Sequence, residues 1–430
     1  MDWKTDSALL LRGGTIATSF GTREADILIR DGKIAEIGSA LEAPDARVAD
    51  VAGLTICPGF VDIHVHLREP GADDSETLES GLDAAAVGGI HHLYCMANTD
   101  PVNDSAEQTA GLIEKARGLS PLELHPVAAV TRGLIGDDLT NFEELVQAGA
   151  GAFSNDGLPV ENVKVLERAL EKAAELSRTV LVHAEDRKWS GGAVDVRAAK
   201  RLGTKGIHVE AEDLATARDV GAAMDTNASV HVCHVSTAGS VEIVRGARAA
   251  GGRISAEATP HHLLLTYDDI PEGDTNYKMS PPLRAPSDVE ALIGGILDGT
   301  VTAIATDHAP HSPARKDYPL DEAPFGAIGL ETSFAVSHTA LVAAGHIGLE
   351  GLLSLMVDGP AEIAGISPPR IEVGAPAELN LLDLSVSWSV AANDLASRSR
   401  NCPFLGRRLE GRVVGAVHGT QAFRRVARSV

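Results

Sequence analysis

Between Pro58 and about residue 310 the chain alternates short apolar runs with segments of helical apolar spacing, and it does so eight times. The runs cover 61–66, 90–97, 122–130, 149–155, 179–184, 229–235, 253–258 and 301–306, each short enough for a buried strand. The stretches between them, such as 160–177, 210–227 and 240–250, are long enough for crossover helices. A helix is predicted at 77–87, with Leu78, Leu82, Ala85 and Ala86 on one face and Glu76 and Glu79 in its first turn. Such a chain must build a parallel sheet covered by helices, either closed into a (β/α)8 barrel or left open and doubly wound.

The ends of the runs decide between the two. Side chains two apart on a strand project to the same side, so His64 and His66 can hold one metal ion while Val65 faces into packing. Further runs end on Asp156, His183, His234 and Asp307. An open sheet would gather its ligands at one crevice, whereas a barrel presents the C-terminal ends of all its strands to one site. The sequence therefore predicts an α/β fold with a TIM-type barrel. Imidazole and carboxylate ligands together suit zinc or a similar divalent ion, and two histidines per ion with a shared carboxylate would make a two-metal site. Taken singly, Asp156 before Gly157 also reads as a turn residue, and so does Asn98 before Thr99-Asp100-Pro101.

The flanks have a different texture. Short strands with turn signals fill 8–57, including a hairpin around Asp31-Gly32, and the same texture resumes at 373–430. Neither end can bury a core alone. They are expected to join as a discontinuous β-sandwich domain, residues 1–57 with 370–430, leaving 58–369 as the barrel.

With 37 basic and 60 acidic residues the formal net charge is −23, which argues against nucleic acid or an anionic membrane as a partner. An anionic substrate must then meet locally placed positive charge. Cys57, Cys95, Cys233 and Cys402 are scattered without paired spacing, as in a reducing compartment, and the N-terminus lacks a signal pattern. A cytoplasmic location is the expectation.

Several motifs carry a resemblance: His64-Val65-His66-Leu67-Arg68-Glu69-Pro70-Gly71, Met96-Ala97-Asn98-Thr99, Asp156-Gly157, His183-Ala184-Glu185-Asp186, His234-Val235-Ser236, Pro260-His261-His262-Leu263 and Thr306-Asp307-His308-Ala309-Pro310-His311. In this order they resemble the dihydroorotases of the amidohydrolase superfamily. The resemblance implies that His64 and His66 bind one ion, His183 and His234 a second, and Asp156 bridges them, with zinc as the expected metal. It implies that Asp307 moves the proton, and that Arg68, Asn98, His311 and Ser280 contact the substrate. The implied reaction is the reversible cyclisation of N-carbamoyl-L-aspartate to dihydroorotate in pyrimidine biosynthesis. A homo-oligomer is expected, and aspartate carbamoyltransferase is a candidate partner. The rivals are a hydantoinase-like or allantoinase-like amidohydrolase and a non-catalytic dihydroorotase-like subunit that scaffolds the carbamoyltransferase. Two departures from the patterns matter. The fourth run has no lysine to bridge metals as in hydantoinases, and Ser280 stands where dihydroorotases often have asparagine. A loop at 318–326 is expected to close over the site.

Overall fold

In the computed structural model, which describes residues 4, 5 and 7–424, the eight runs form one parallel sheet whose strands follow chain order. They are Phe60–Val65, Ile90–Cys95, Glu123–Ala128, Ala152–Ser154, Val180–Val182, Val230–Val232, Ile254–Ala258 and Ala303–Ile304. Val61, Tyr94, Val127, Ala152 and Leu181, from the first five strands, pack in one buried cluster. The paired segments are shorter than the apolar runs because the ends of the runs leave the ladder to form the loops that carry the chemistry. Closure between the last and first strands is made by few contacts. Val65 bridges His308, His66 N–H donates to His308 O at 2.8 Å, and the Thr306 N–H donates to the Asp62 carboxylate at 3.2 Å. The barrel is thus nearly closed, with Asp62 tying its two edges.

The crossover helices form where the apolar spacing put them. The predicted helix at 77–87 runs Leu78–Gly88, and Thr77 caps it by accepting the Ser80 N–H. Gly89 ends it in the left-handed conformation at φ 79°, which glycine adopts without penalty. Val163–Glu175, Glu210–Thr226 and Ala238–Ala249 cover the other predicted segments, and Val163–Glu175 buries Val165, Leu166, Ala169, Leu170 and Ala173 on one stripe.

The two ends of the chain meet in a separate nine-stranded sheet. Its seam is the antiparallel pairing of Thr55–Pro58 with Glu378–Ser389, in register Leu381 to Ile56. Leu9, Leu11, Ile16, Ile27, Ile29 and Ile56 share a core with Ala377, Leu379, Leu381 and Val417, so neither end is buried without the other. The expected hairpin is present. Gly21–Arg30 pairs with Lys33–Gly38, and Asp31 at φ 48° and Gly32 at φ 77° make the turn.

A histidine-rich seam joins this sheet to the barrel. Asn380 donates to Gly89 O at 2.7 Å, and its Oδ1 lies 3.2 Å from His91 Nε2. His91 meets His418 at 3.0 Å, and His92 links His125 at 3.1 Å to Glu378 at 3.1 Å. Burial and the neighbouring His418 push His91 down to about 3, and burial and His92 push His125 down to about 4. Both rings fold neutral, whereas in an unfolded chain they take up protons near pH 6.5. The unfolded state therefore binds more protons between about pH 6.5 and 4, and stability must fall as pH drops through that window. Urea unfolding should show a midpoint that declines from pH 7 to pH 4.5, with a shallower decline in His125→Gln. An identical pH dependence in the variant would refute the assignment to this seam.

Candidate metal centre

Every ligand candidate sits at or just beyond the C-terminal end of a strand, five strands contributing, and the barrel turns these ends toward one point. His64 lies within the first strand and His66 one residue past it; Asp156, His183, His234 and Asp307 follow the fourth, fifth, sixth and eighth. His64 Nε2 is 3.3 Å from Asp156 Oδ1, and His66 Nε2 is 3.3 Å from Asp156 Oδ2 and 3.1 Å from Asp307 Oδ1. His183 Nδ1 is 3.4 Å and His234 Nε2 3.6 Å from the same Oδ1 that faces His64, and these two nitrogens are 2.9 Å apart. Four imidazoles thus surround one carboxylate, His64, His183 and His234 at Oδ1 and His66 at Oδ2. Asp307 Oδ1 lies against the first pair, 3.1 Å from His66 Nε2 and 3.6 Å from His64 Nε2.

Among the described residues, three of the eight non-glycine residues with positive φ are here: Arg68 at 59°, His234 at 36° and Asp307 at 47°. Such conformations cost about 1–3 kcal/mol each and persist where surrounding packing over-determines them. They turn the chain sharply out of the strand and aim the side chain back over the barrel mouth.

The donor set fits divalent cations. His64 Nε2 and Asp156 Oδ1 are buried and face each other at 3.3 Å, yet neither makes a hydrogen bond. Two buried ligand atoms that converge this closely without a hydrogen-bond partner suit a shared cation. The imidazoles also sit in a strongly negative field. Burial alone would lower the affinity of His183 for a proton, but Asp156 and Glu185 raise it to about 10, and Asp156 raises His64 well above the usual range. Asp307 is buried too, and the His66 hydrogen bond with the charges of His64 and His234 outweighs that burial and keeps it below the ordinary carboxylate range.

The outer nitrogens of three of the candidate rings face acceptors, an arrangement suited to metal ligands. Glu257, which is fully buried, accepts from His64 Nδ1 at 2.9 Å, from His231 Nε2 at 2.9 Å and from the His234 backbone N–H at 3.3 Å. Asn98 Oδ1 accepts from His66 Nδ1 at 2.8 Å, and Glu185 Oε2 lies 3.7 Å from His183 Nε2. Glu257 and Asp62 were missed from the sequence, where each is a single acid in an apolar strand. His261 belongs to the motif Pro260-His261-His262-Leu263. It is buried with an unpartnered Nε2, near enough to Asp307, His234 and His64 to feel their charges.

Arg68, Asn98 and His311 line one cleft of about 160 Å3 beside the ligands, with Ser75, Thr99 and Arg315. Arg68 Nε donates to Pro310 O at 3.1 Å, and its Nη2 lies 3.4 Å from His311 Nε2. Ser280 lies outside that cleft, and its hydroxyl donates to Glu185 at 3.4 Å. A larger cleft of about 780 Å3 opens at the other end of the strands, around Thr179, Ser229, Arg253 and Thr302, and contains none of these groups.

Glu257→Gln should weaken metal affinity by about 10- to 100-fold, because the amide cannot accept from both histidines with full charge. Competition with a chromophoric chelator measures this; unchanged affinity in a folded variant would show that Glu257 only packs.

A family profile described as Dihydro-orotase-like matches residues 53–240. A dihydroorotase from Halalkalibacterium halodurans is 42% identical over 413 residues, covering 95% of this chain and 96% of that protein. One from Geotalea daltonii is 43% identical over 389 residues, covering 90% and 91%. Among solved structures, the L-hydantoinase (dihydropyrimidinase) of Arthrobacter aurescens matches with a TM-score of 0.87 at 24% identity, covering 99% of this chain and 98% of that one. That likeness concerns the fold, a barrel shared with cyclic amidohydrolases. Identity of this extent over nearly the whole length settles the finer grouping: the chain belongs to the dihydroorotase family.

Proposed function

We propose that this chain is a metal-dependent dihydroorotase, a hydrolase of a cyclic amide that interconverts dihydroorotate and N-carbamoyl-L-aspartate in pyrimidine biosynthesis. The observation that carries the substrate assignment is the cleft that Arg68, Asn98 and His311 share beside the ligand cluster. A free carboxylate next to the ring distinguishes dihydroorotate from hydantoin and dihydrouracil, and a guanidinium with an amide donor is the chemistry that recognises it. Retention of every predicted ligand in one cluster supports a catalyst over a scaffolding subunit.

His64 and His66 would hold one zinc ion, His183 and His234 a second, and Asp156 would serve both, with Asp307 beside His66. When bound, such ions supply Lewis acidity at the amide carbonyl and acidify water. The protein's own groups do the rest. Asp307, held ionised by the surrounding histidines, accepts the proton of the attacking water and passes it to the leaving ring nitrogen. In the direction of ring closure it takes the proton from the carbamoyl nitrogen instead. Asn98 keeps its carbonyl on His66, which turns its NH2 group toward the substrate. Arg68 is anchored through Nε on Pro310 O, which leaves the tip of its guanidinium for the carboxylate. Among the described residues no helix is long and apolar enough to cross a membrane.

Asp307→Asn should keep its metal and lose about 10²- to 10⁴-fold in turnover, the usual worth of a positioned acid and base. Near-normal turnover would require another proton carrier. Arg68→Met should retain metal while kcat/KM for dihydroorotate falls about tenfold to a hundredfold, the worth of a charged hydrogen bond or two. Wild-type enzyme that hydrolyses hydantoin or dihydrouracil as well as dihydroorotate would defeat the carboxylate assignment.

A further inference from the structure

Lys278 and Lys316 are only 2% and 6% exposed, and neither ammonium contacts a carboxylate among the described residues. Both are directed at main-chain carbonyls of the segment that follows the eighth strand. Lys316 Nζ donates to Pro324 O at 3.0 Å, Gly326 O at 3.1 Å and Lys278 O at 3.4 Å. Lys278 Nζ donates to Leu320 O at 2.6 Å and Asp321 O at 3.2 Å, and stands 4.5 Å over the Phe325 ring. Held between these two ammonium groups, Phe325 turns its own carbonyl to His311, whose Nε2 donates to it at 2.7 Å. At Gly326 a Cβ would come within 3.1 Å of His311 Cδ2, so this backbone lies directly against the imidazole.

Burying an ammonium without a counter-ion is costly, and the fold places two such groups close enough for Lys278 to oppose the charge on Lys316. Carbonyl dipoles offset part of that cost, but a net positive field remains next to His311. That imidazole supplies no charge of its own near neutrality, because burial and the Arg68 charge push it down to about 3.

We propose that Lys316, with Lys278, is a positioning and specificity-determining residue: it fixes residues 320–326 against His311 and supplies positive charge that favours a ring bearing a free carboxylate. The inference rests on the reading that Arg68, Asn98 and His311 receive that carboxylate. Burial and the Lys278 charge, opposed by Asp274, push Lys316 down to about 7. An anion in the cleft favours its protonated form, so affinity for dihydroorotate must weaken as pH rises through 7. Asp321 acts on Lys278 in the same direction as Asp274 acts on Lys316.

The test is steady-state kinetics on dihydroorotate and on uncharged dihydrouracil, for wild type, Lys316→Met and Lys278→Met, with metal content measured in each. For Lys316→Met the KM for dihydroorotate should rise roughly tenfold, as expected for one charge removed nearby in a partly shielded site, with kcat and metal content little changed. The preference for dihydroorotate over dihydrouracil should fall by a similar factor, and Lys278→Met should move it the same way. A variant that slows both substrates equally, or that keeps the wild-type preference, overturns the inference. Should Lys316→Met fail to fold, the wild-type pH profile decides. A KM for dihydroorotate that rises through about pH 7 while that for dihydrouracil stays level supports the proposal, and parallel profiles overturn it. Wild-type enzyme with no preference between the two rings overturns the carboxylate reading itself, and the lysine inference with it.

Discussion

A carboxylate sealed from water, that of Glu257, fixes the geometry on which the site depends. An isolated buried anion is costly, and burial alone would raise its proton affinity. His231 and His64 instead hold Glu257 far below the ordinary carboxylate range. One oxygen takes the His64 ring and the His234 backbone, the other takes His231, and His231 in turn meets the Ser255 hydroxyl at 2.9 Å. A member of each proposed ligand pair is thereby referred to the same anion, one through its side chain and one through its main chain. Removing Glu257 would leave three donors buried without an acceptor, each worth about 1–3 kcal/mol of desolvation. The separation of the two pairs is thus set by the seventh strand, which contributes no ligand itself.

Asp62 does the corresponding work for the barrel edge. It accepts from His64 N at 3.1 Å and from Thr306 N, joining the first strand to the eighth just below the ligands. Only two residues of the eighth strand, Ala303 and Ile304, pair in the ladder. A carboxylate at that edge replaces ladder bonds the short strand cannot make. Asp307, three residues on, then enters the left-handed region and reaches the His66 ring. Closure and placement of the proposed proton carrier are therefore one local problem.

The alternation of runs and the identity of the strand-end residues were legible in the sequence because both are local. Helical spacing at Val163–Glu175 and the Asp31-Gly32 turn needed no knowledge of the rest of the chain. Glu257 was not legible, since its partner His64 lies 193 residues away and a lone acid in Ile254–Ala258 carries no spacing signal. Asp62, whose partner Thr306 is 244 residues distant, is the same case. Asn98 was read for its amide donors, and its carbonyl contact with His66 depends on how the first two strands sit side by side. Lys278 and Lys316 look like ordinary surface cations in sequence; their burial follows from the packing of the segments on either side of them. What the sequence withheld was long-range polar pairing, which leaves no periodicity behind.

An acidic protein that binds an acidic substrate poses an electrostatic question that the cleft resolves by distance. Screening in physiological salt confines charge effects to about 8 Å, so the net charge of −23 acts weakly across the molecule while a few groups dominate inside the cleft. Arg315 lines the cleft but is paired with Asp74 at 3.0 Å, which cancels most of its field. Arg68 is half-buried and bonded to a carbonyl, with no ion pair among the described residues. Lys316 is satisfied in the same way, by carbonyls alone. Dipoles hold a cation in place without neutralising it, whereas a carboxylate would do both. Carbonyl-held groups therefore answer to an incoming anion and not to a fixed carboxylate, Arg68 as a standing charge and Lys316 as one that the anion itself favours, and a cleft that must bind a carboxylate next to Asp156 and Asp307 needs groups of that kind.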